Sequence, residues 1–295
     1  MTPTTRTFEL VGAPFDGAAT LGWPGSRHAP ARIRESLAWM TMRSEGGQVF
    51  SLDTGGLLPA GADLLQDAGD VAVVPHDLHA TLDAAAEGVS EVIRRGNVPI
   101  LLGGDDSLLL AGARGLHDAV EGTVAIVHFD AHLDLMDESA RQGRFSHSSG
   151  MRRAIELDRV SIGHSIQLGP RHFNYPTSLR FIQESGLPQI SSLETIEKGW
   201  RWAAERILAR IEGADHVFFS FDIDTIDPAH APGAGAHEPG GITSRDAIEL
   251  VKVLAPHCDA FAVTEVNPMT DHNDLTSNLA AYLCYYFAVF GAVAA

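Results

Sequence analysis

The chain is short of cysteine, short of basic residues and without an apolar run of membrane length, and each shortage removes a class of function. Only Cys258 and Cys284 occur among 295 residues, both in apolar helical contexts. A disulfide framework is therefore not indicated, and a reducing cytoplasm is the expected location. Lysine and arginine number 21 against 38 aspartates and glutamates, a formal net charge of −17, and the basic residues form no run. Nucleic acid and anionic membrane surfaces are thus not expected partners. The N-terminus, Met1-Thr2-Pro3-Thr4-Thr5-Arg6, leads towards a strand without an apolar signal core. Residues 280–295 are nearly all apolar, yet fall short of the roughly 20 a membrane span needs. They read as a buried terminal helix or a subunit contact.

A hydrophobic fraction of 45% and a charged fraction of 20% are those of a globular protein with a full core. Apolar runs of strand length recur at 8–13, 49–52, 98–102, 124–129, 165–168, 216–221 and 260–266. Several are apolar almost throughout, which suits strands covered on both faces. Amphipathic helix patterns lie between them at 28–40, 76–95, 107–120, 151–157, 192–211 and 244–254. Asp77 or Pro75 starts the second and Gly96 stops it, while Thr243 and Asp246 form a capping box for the last. Strand alternating with helix predicts an α/β fold with a parallel sheet and right-handed crossovers. With no linker or repeat, residues 1–295 read as one domain.

Acidic clusters stand at the ends of four of those apolar runs: Gly103-Gly104-Asp105-Asp106-Ser107, Asp130-Ala131-His132-Leu133-Asp134, Asp222-Ile223-Asp224 and Glu265. Ligands of parallel sheets bind beyond the carboxyl ends of the strands. Carboxylates gathered there repel unless cations lie between them, and their number suits two. Positions 130, 132 and 134 face one side if the backbone stays extended. Two carboxylates and an imidazole on one edge suit Mn²⁺, Zn²⁺ or Ni²⁺. Asp222 and Asp224 repeat that spacing on a second strand; capped turns and surface carboxylates are the blander reading of both motifs. Asp227, before Pro228, reads as a turn-starting structural residue. Asp105 either orients a ligand or holds its loop through the amides that follow.

Other polar residues are expected to be structural. His128, inside an apolar strand, reads as a satisfied core histidine rather than a ligand. His237 is a pocket-mouth or plain loop residue. Arg144, Arg152 and Arg171 read as surface or loop-anchoring residues rather than readers of a substrate carboxylate. Trp23, Phe173 and Tyr175 lie in loops that either wall a pocket or simply cover the surface.

The chain resembles the ureohydrolase family (arginase, agmatinase, guanidinobutyrase, formiminoglutamase) almost end to end. The resemblance rests on Gly12-Ala13-Pro14-Phe15-Asp16-Gly17 and Pro24-Gly25-Ser26-Arg27. It continues through Asp130 to Asp134, Ser146-His147-Ser148-Ser149-Gly150-Met151-Arg152-Arg153, Ser220 to Gly241, and Glu265-Val266-Asn267-Pro268. It implies a three-layer α/β/α sandwich on a mostly parallel sheet and two divalent ions, Mn²⁺ foremost with Ni²⁺ as the alternative. It implies that Asp130 and Asp222 bridge the two ions, with Asp134 completing one site and His132 with Asp224 the other. It assigns proton transfer to His147, the substrate guanidinium to Glu265, and a homo-oligomer, trimer or hexamer, to the whole. The reaction implied is hydrolysis of a small guanidino compound to urea and an amine.

One position departs from the family pattern. The glycine-rich loop of relatives usually ends Gly-Gly-Asp-His-Ser, and its histidine is a metal ligand; this chain has Asp106. A carboxylate oxygen stands as far beyond Cβ as the nearer ring nitrogen, so Asp106 is expected to remain a ligand, the alternative being loss of that site. Five carboxylates would then face two cations, and the extra charge predicts an alkaline-shifted activity or a different preferred metal. Residues 135–145 lack the Asn- and Ser-rich stretch of arginases, which favours agmatine or a guanidino acid over arginine. The alternatives are a catalytically silent subunit or binding module, a formimino hydrolase releasing formamide, and a single-zinc deacetylase of the same fold.

Overall fold

Eight strands, all parallel, make one sheet in a computed structural model that describes residues 6–293. The strands of the chain are β1 (Phe8–Gly12), β2 (Gln48–Ser51), β3 (Gly56–Pro59), β4 (Leu65–Asp70), β5 (Val98–Leu102), β6 (Val124–Phe129), β7 (Ile166–Leu168), β8 (Gln189–Ile190), β9 (His216–Asp222) and β10 (Ala260–Thr264). The sheet order is β4-β1-β5-β10-β9-β6-β7-β8, while β2 and β3 pair apart as an antiparallel hairpin. Central runs such as Val98–Leu102 and Val124–Phe129 are buried at every residue. Such runs cannot face water on either side, which forces a covering layer on both.

Those layers are helical. The first helices in the chain are α1 (Ala29–Thr41), α2 (Leu78–Arg94), α3 (Leu108–Ala119), α4 (Gly150–Ala154) and α5 (Pro176–Ser185). They are followed by α6 (Ser192–Lys198), α7 (Trp200–Ile211), α8 (Ser244–Leu254) and α9 (Leu275–Gly291). One core joins α1, α7, α8 and α9 to the sheet, and the other joins α2, α3 and α4 to its opposite face, giving the expected α/β/α sandwich. On the first face Phe287 of α9 stacks on Phe261 at 4.5 Å and meets Phe8 edge-on at 5.7 Å. Burying each such ring stabilises the fold by about 1.5–3 kcal/mol. The apolar C-terminal run is therefore core. No helix among the described residues is long and apolar enough to cross a membrane.

Several expectations are corrected. The run at 49–52 belongs to the hairpin, not to the main sheet. The pattern at 192–211 is two helices, because Gly199 takes φ 87° and ψ 154°, a conformation open only to glycine. The strand β4, LQDAGD, carries too little apolar alternation to be read from sequence and β8 is two residues long, while the ten-residue helix α5 is an addition to the expected elements. Caps are as expected: Asp77 accepts from the Ala80 amide at 3.0 Å, and Thr243 and Asp246 cap one another. The signal-core reading of residues 1–5, and the last two residues of the apolar terminal run, lie outside the described residues.

Candidate metal centre

The acidic clusters leave the carboxyl ends of four strands that are consecutive in the sheet, β5, β10, β9 and β6. Beyond β5 the backbone passes so close to its neighbour that a Cβ on Gly104 would stand 1.7 Å from the Phe15 carbonyl oxygen. Only glycine permits this approach. It allows the Asp105 amide to donate to the Phe15 carbonyl at 2.9 Å and the Glu265 amide to donate to the Gly104 carbonyl at 2.7 Å. Asp105 accepts from the amides of Ala18 (2.8 Å) and Ser107 (3.0 Å) and from the Ser107 hydroxyl, so of its two expected roles the loop-holding one is seen. Burial and the nearby charge of Glu265 push its carboxyl up to about 7, against those hydrogen bonds.

The carboxylates of 130–134 do converge with His132, but not by strand alternation. The strand ends at Phe129, the His132 amide turns back to donate to Asp130 Oδ1 at 2.6 Å, and Asp134 takes a left-handed φ of 48°. Likewise Asp222 ends β9, and the Asp224 amide donates to Asp222 Oδ1 at 2.9 Å within a single 3₁₀ turn. His132 Nδ1 then lies 3.2 Å from Asp130 Oδ1 and 3.1 Å from Asp224 Oδ2. Asp106 presents Oδ1 to the Thr264 hydroxyl at 2.6 Å, while its amide donates to Glu265 Oε1 at 3.0 Å. Glu265 itself holds a left-handed φ of 59°. Such strain persists only where surrounding contacts over-determine it.

Among the described residues two triads of donor atoms result, Asp106–His128–Asp130 and Asp130–His132–Asp224, with the atoms of each within 4.8 Å of one another. Asp106 Oδ2 and Asp130 Oδ2 are buried without any hydrogen-bond partner. Burial and mutual repulsion push the carboxyls of Asp106, Asp134 and Asp222 well above the usual range. Burial raises Asp130 too, but the adjacent His128 and His132 outweigh it and hold that carboxyl below the range. Orphaned carboxylate oxygens with one imidazole at hand are a donor set suited to Mn²⁺, Ni²⁺ or Zn²⁺. A cavity of about 100 Å³ above them is lined by every expected ligand except the deeper Asp130, and by His147 and Glu265. His147 Nδ1 is 3.4 Å from Glu265 Oε1, and its Nε2 is buried and unpartnered. Burial disfavours the imidazolium, but Glu265 outweighs it and the pKa rises.

The sequence reading of one residue is corrected, and one residue escaped it. His128 is fully buried, yet its Nε2 has no hydrogen-bond partner and faces the cluster, so it is not a satisfied core histidine. Glu238 brings a carboxylate oxygen to 3.6 Å from His132 Nε2; its signal, a lone glutamate in a glycine-rich loop, was too weak to notice. The bland readings hold elsewhere. Asp227 accepts from the amides of Ala229, Gly240 and Gly241, and Arg171 donates to the Asp224 and Glu238 carbonyls at 2.6 Å. Arg144 pairs with Asp137 and Glu156, Arg152 with Glu156, and exposed His237 bonds the Pro232 carbonyl. Of the three loop aromatics, Tyr175 lines a neighbouring cavity of about 560 Å³, while Trp23 and Phe173 line none of the cavities described here.

A parallel α/β/α sheet with an Asp/His cluster at its carboxyl edge defines an α/β protein built to hold metal ions. The family model described as the Arginase family matches residues 6–289, and the chain belongs to that family. It is 33% identical to proclavaminate amidinohydrolase of Streptomyces clavuligerus over 97% of this chain and 90% of the relative. It is 33% identical to guanidinopropionase of Pseudomonas aeruginosa (96% and 86%) and 32% identical to formimidoylglutamase of Halobacterium salinarum (94% and 86%). The solved structure of the Streptomyces clavuligerus amidino hydrolase superposes with a TM-score of 0.84 at 31% identity, covering 98% of this chain and 93% of that one.

Proposed function

We propose that residues 1–295 form a single catalytic domain, a binuclear-metal amidinohydrolase that cleaves a guanidino compound to urea and an amine. One observation carries the reading: two donor triads sharing Asp130 lie beside the Glu265–His147 pair at one edge of one sheet. Asp106, Asp130, His132, Asp134, Asp222 and Asp224 would hold two divalent cations, Mn²⁺ first and Ni²⁺ as the alternative. Bound there, the cations supply Lewis acidity and make water a nucleophile near neutral pH.

The remaining steps belong to the chain. The Glu265 carboxylate, braced by the Asp106 amide, grips the cationic guanidinium by charge-assisted hydrogen bonds and fixes its carbon in the cavity. Water adds to that carbon, and the carbon–nitrogen bond to the amine breaks. His147 holds the proton that the leaving nitrogen takes, and the neighbouring Glu265 favours its protonated form. Retention of both residues supports an enzyme rather than a silent subunit. Agmatine or a guanidino acid is the favoured substrate class, in keeping with the guanidinopropionase relative. The formimidoylglutamase relative supports one second reading, a formimino substrate and formamide as product. We place the enzyme in the cytoplasm as a homo-oligomer, trimer or hexamer. The exposed apolar residues Trp39, Met42, Phe50 and Leu52 offer surface for subunit contact.

Metal content per chain of protein purified with Mn²⁺ or Ni²⁺, with urea and formamide assayed across guanidino and formimino compounds, tests the reading. Two ions and urea release are expected. Formamide alone moves the assignment to the second reading, and one ion or none with no product overturns both.

A further inference from the structure

A line of polar side chains crosses one end of the sheet. His128, Gln167 and Gln189 stand directly opposite one another on β6, β7 and β8, and the first two are fully buried. Each contact in the line has a direction. Gln189 Nε2 donates to the Leu187 carbonyl at 2.7 Å and to Gln167 Oε1 at 3.4 Å. A carbonyl oxygen can only accept, so the Leu187 contact fixes which way the Gln189 amide faces. The same holds one strand further in. Gln167 Nε2 donates to the Leu133 carbonyl at 2.7 Å, and the same nitrogen lies 3.0 Å from His128 Nδ1.

A nitrogen that receives a hydrogen bond carries no hydrogen of its own. His128 Nδ1 is therefore bare, and the ring hydrogen sits on Nε2. That atom lies 3.1 Å from Asp130 Oδ2 and 3.7 Å from Asp106 Oδ2, straight to neither. Neither contact has hydrogen-bond geometry, so what the ring offers is a partly positive N–H beside two carboxylate oxygens. Both oxygens are otherwise without a partner. The distances alone would equally suit an imidazole ligand completing the Asp106 triad. The direction of the hydrogen bonds separates the two roles, because a ligating nitrogen must present a lone pair.

We propose that the Gln189–Gln167–His128 line locks His128 in its Nε2–H tautomer and aims that hydrogen at Asp130 and Asp106. His128 is then a positioning residue for two metal-binding carboxylates and not itself a ligand. It supplies the partly positive hydrogen that this cluster needs where Asp106 adds a carboxylate.

The inference rests on the metal-centre reading, and the experiment separates the two. Manganese affinity is measured by competition with a chelator for wild type, H128Q, H128L and Q167L, with X-ray absorption of the manganese-loaded proteins and thermal unfolding of the metal-free ones. Glutamine at 128 restores an N–H donor at similar reach, and leucine does not. Expected are a loss of about 10–100-fold in affinity for H128L, a smaller loss in the same direction for Q167L, and recovery of most of it in H128Q. The imidazole scattering of H128Q should equal that of wild type, with His132 as the sole imidazole. Lower imidazole scattering in H128Q makes His128 a ligand and overturns the inference, as does wild-type affinity in H128L. If H128L does not fold, H128Q still decides. A wild type that binds no manganese sinks the metal-centre reading itself.

Discussion

At the scale of single residues, Glu265 and His147 divide binding from proton transfer, and their variants should fail differently. Glu265→Gln keeps the shape but loses the charge that grips a guanidinium. Its kcat/KM should fall by about 10²–10³-fold, the loss typical of one preorganised electrostatic contact. His147→Asn should lower kcat by about 10²–10⁴-fold with little change in KM, the usual weight of a general acid. Steady-state kinetics on one guanidino substrate checks both, and a mainly KM effect for His147→Asn would remove its proton-transfer role. Asp106→His replaces a carboxylate by a neutral ligand and should move the pH–rate profile towards acid, since less negative charge lies near the reacting water. An unmoved profile would mean that Asp106 does not face the metals. The acidic clusters were legible because carboxylates stand after apolar runs, whereas the parts assigned to His147 and Glu265 came from the family resemblance alone. The part played by His128 was not legible, because one histidine in the strand VAIVHF gives no hint of Gln167 on the next strand.

At the scale of elements, backbone turns build the site more than strands do. Alternation along an extended 130–134 predicted the right convergence for the wrong reason, since the chain bends after Phe129 and again at Asp134. The central strands and capped helices were legible from their apolar patterns. The edge strand β4 was not, because one neighbour and open solvent impose little demand on composition. Glycine tests this scale. Gly199 has nothing within 4 Å of an added Cβ, so Gly199→Ala isolates backbone strain and should cost about 1–3 kcal/mol in urea unfolding. Gly104→Ala collides with backbone instead. Overpacking of that kind costs typically about 1–3 kcal/mol, and here it should also lower metal content, which the Gly199 variant should leave intact.

At the scale of the whole molecule, the clustered carboxylates tie stability to pH and to metal. Asp105 has an unfolded value of 3.8 and a folded value of about 7. Between the two, the folded protein holds a proton that the unfolded chain has released, so this contribution to stability is lost as pH rises through that window. Asp106, Asp134 and Asp222 shift in the same direction. Raised His147 adds stability below its unfolded value of 6.5 and loses it as pH climbs through its folded value. Cations can take the place of those protons. The gap in Tm between metal-loaded and metal-free protein should therefore widen from about pH 5 to 8 in calorimetry; a constant gap would deny the coupling.

The order of strands has a consequence for synthesis. Strand β10 follows the other described strands in the chain yet is inserted between β5 and β9, so before it is made β4-β1-β5 and β9-β6-β7-β8 share no strand pairing. Each group ends in a bare, apolar edge, the kind that pairs with whatever strand it meets. A ribosome halted before residue 260 would leave two unpaired strand edges, with Asp106 beyond one group of strands and Asp130, His132, Asp134, Asp222 and Asp224 beyond the other. Late arrival of the keystone makes the nascent chain a natural client for chaperones, and defers tight cation capture until β10 has been made.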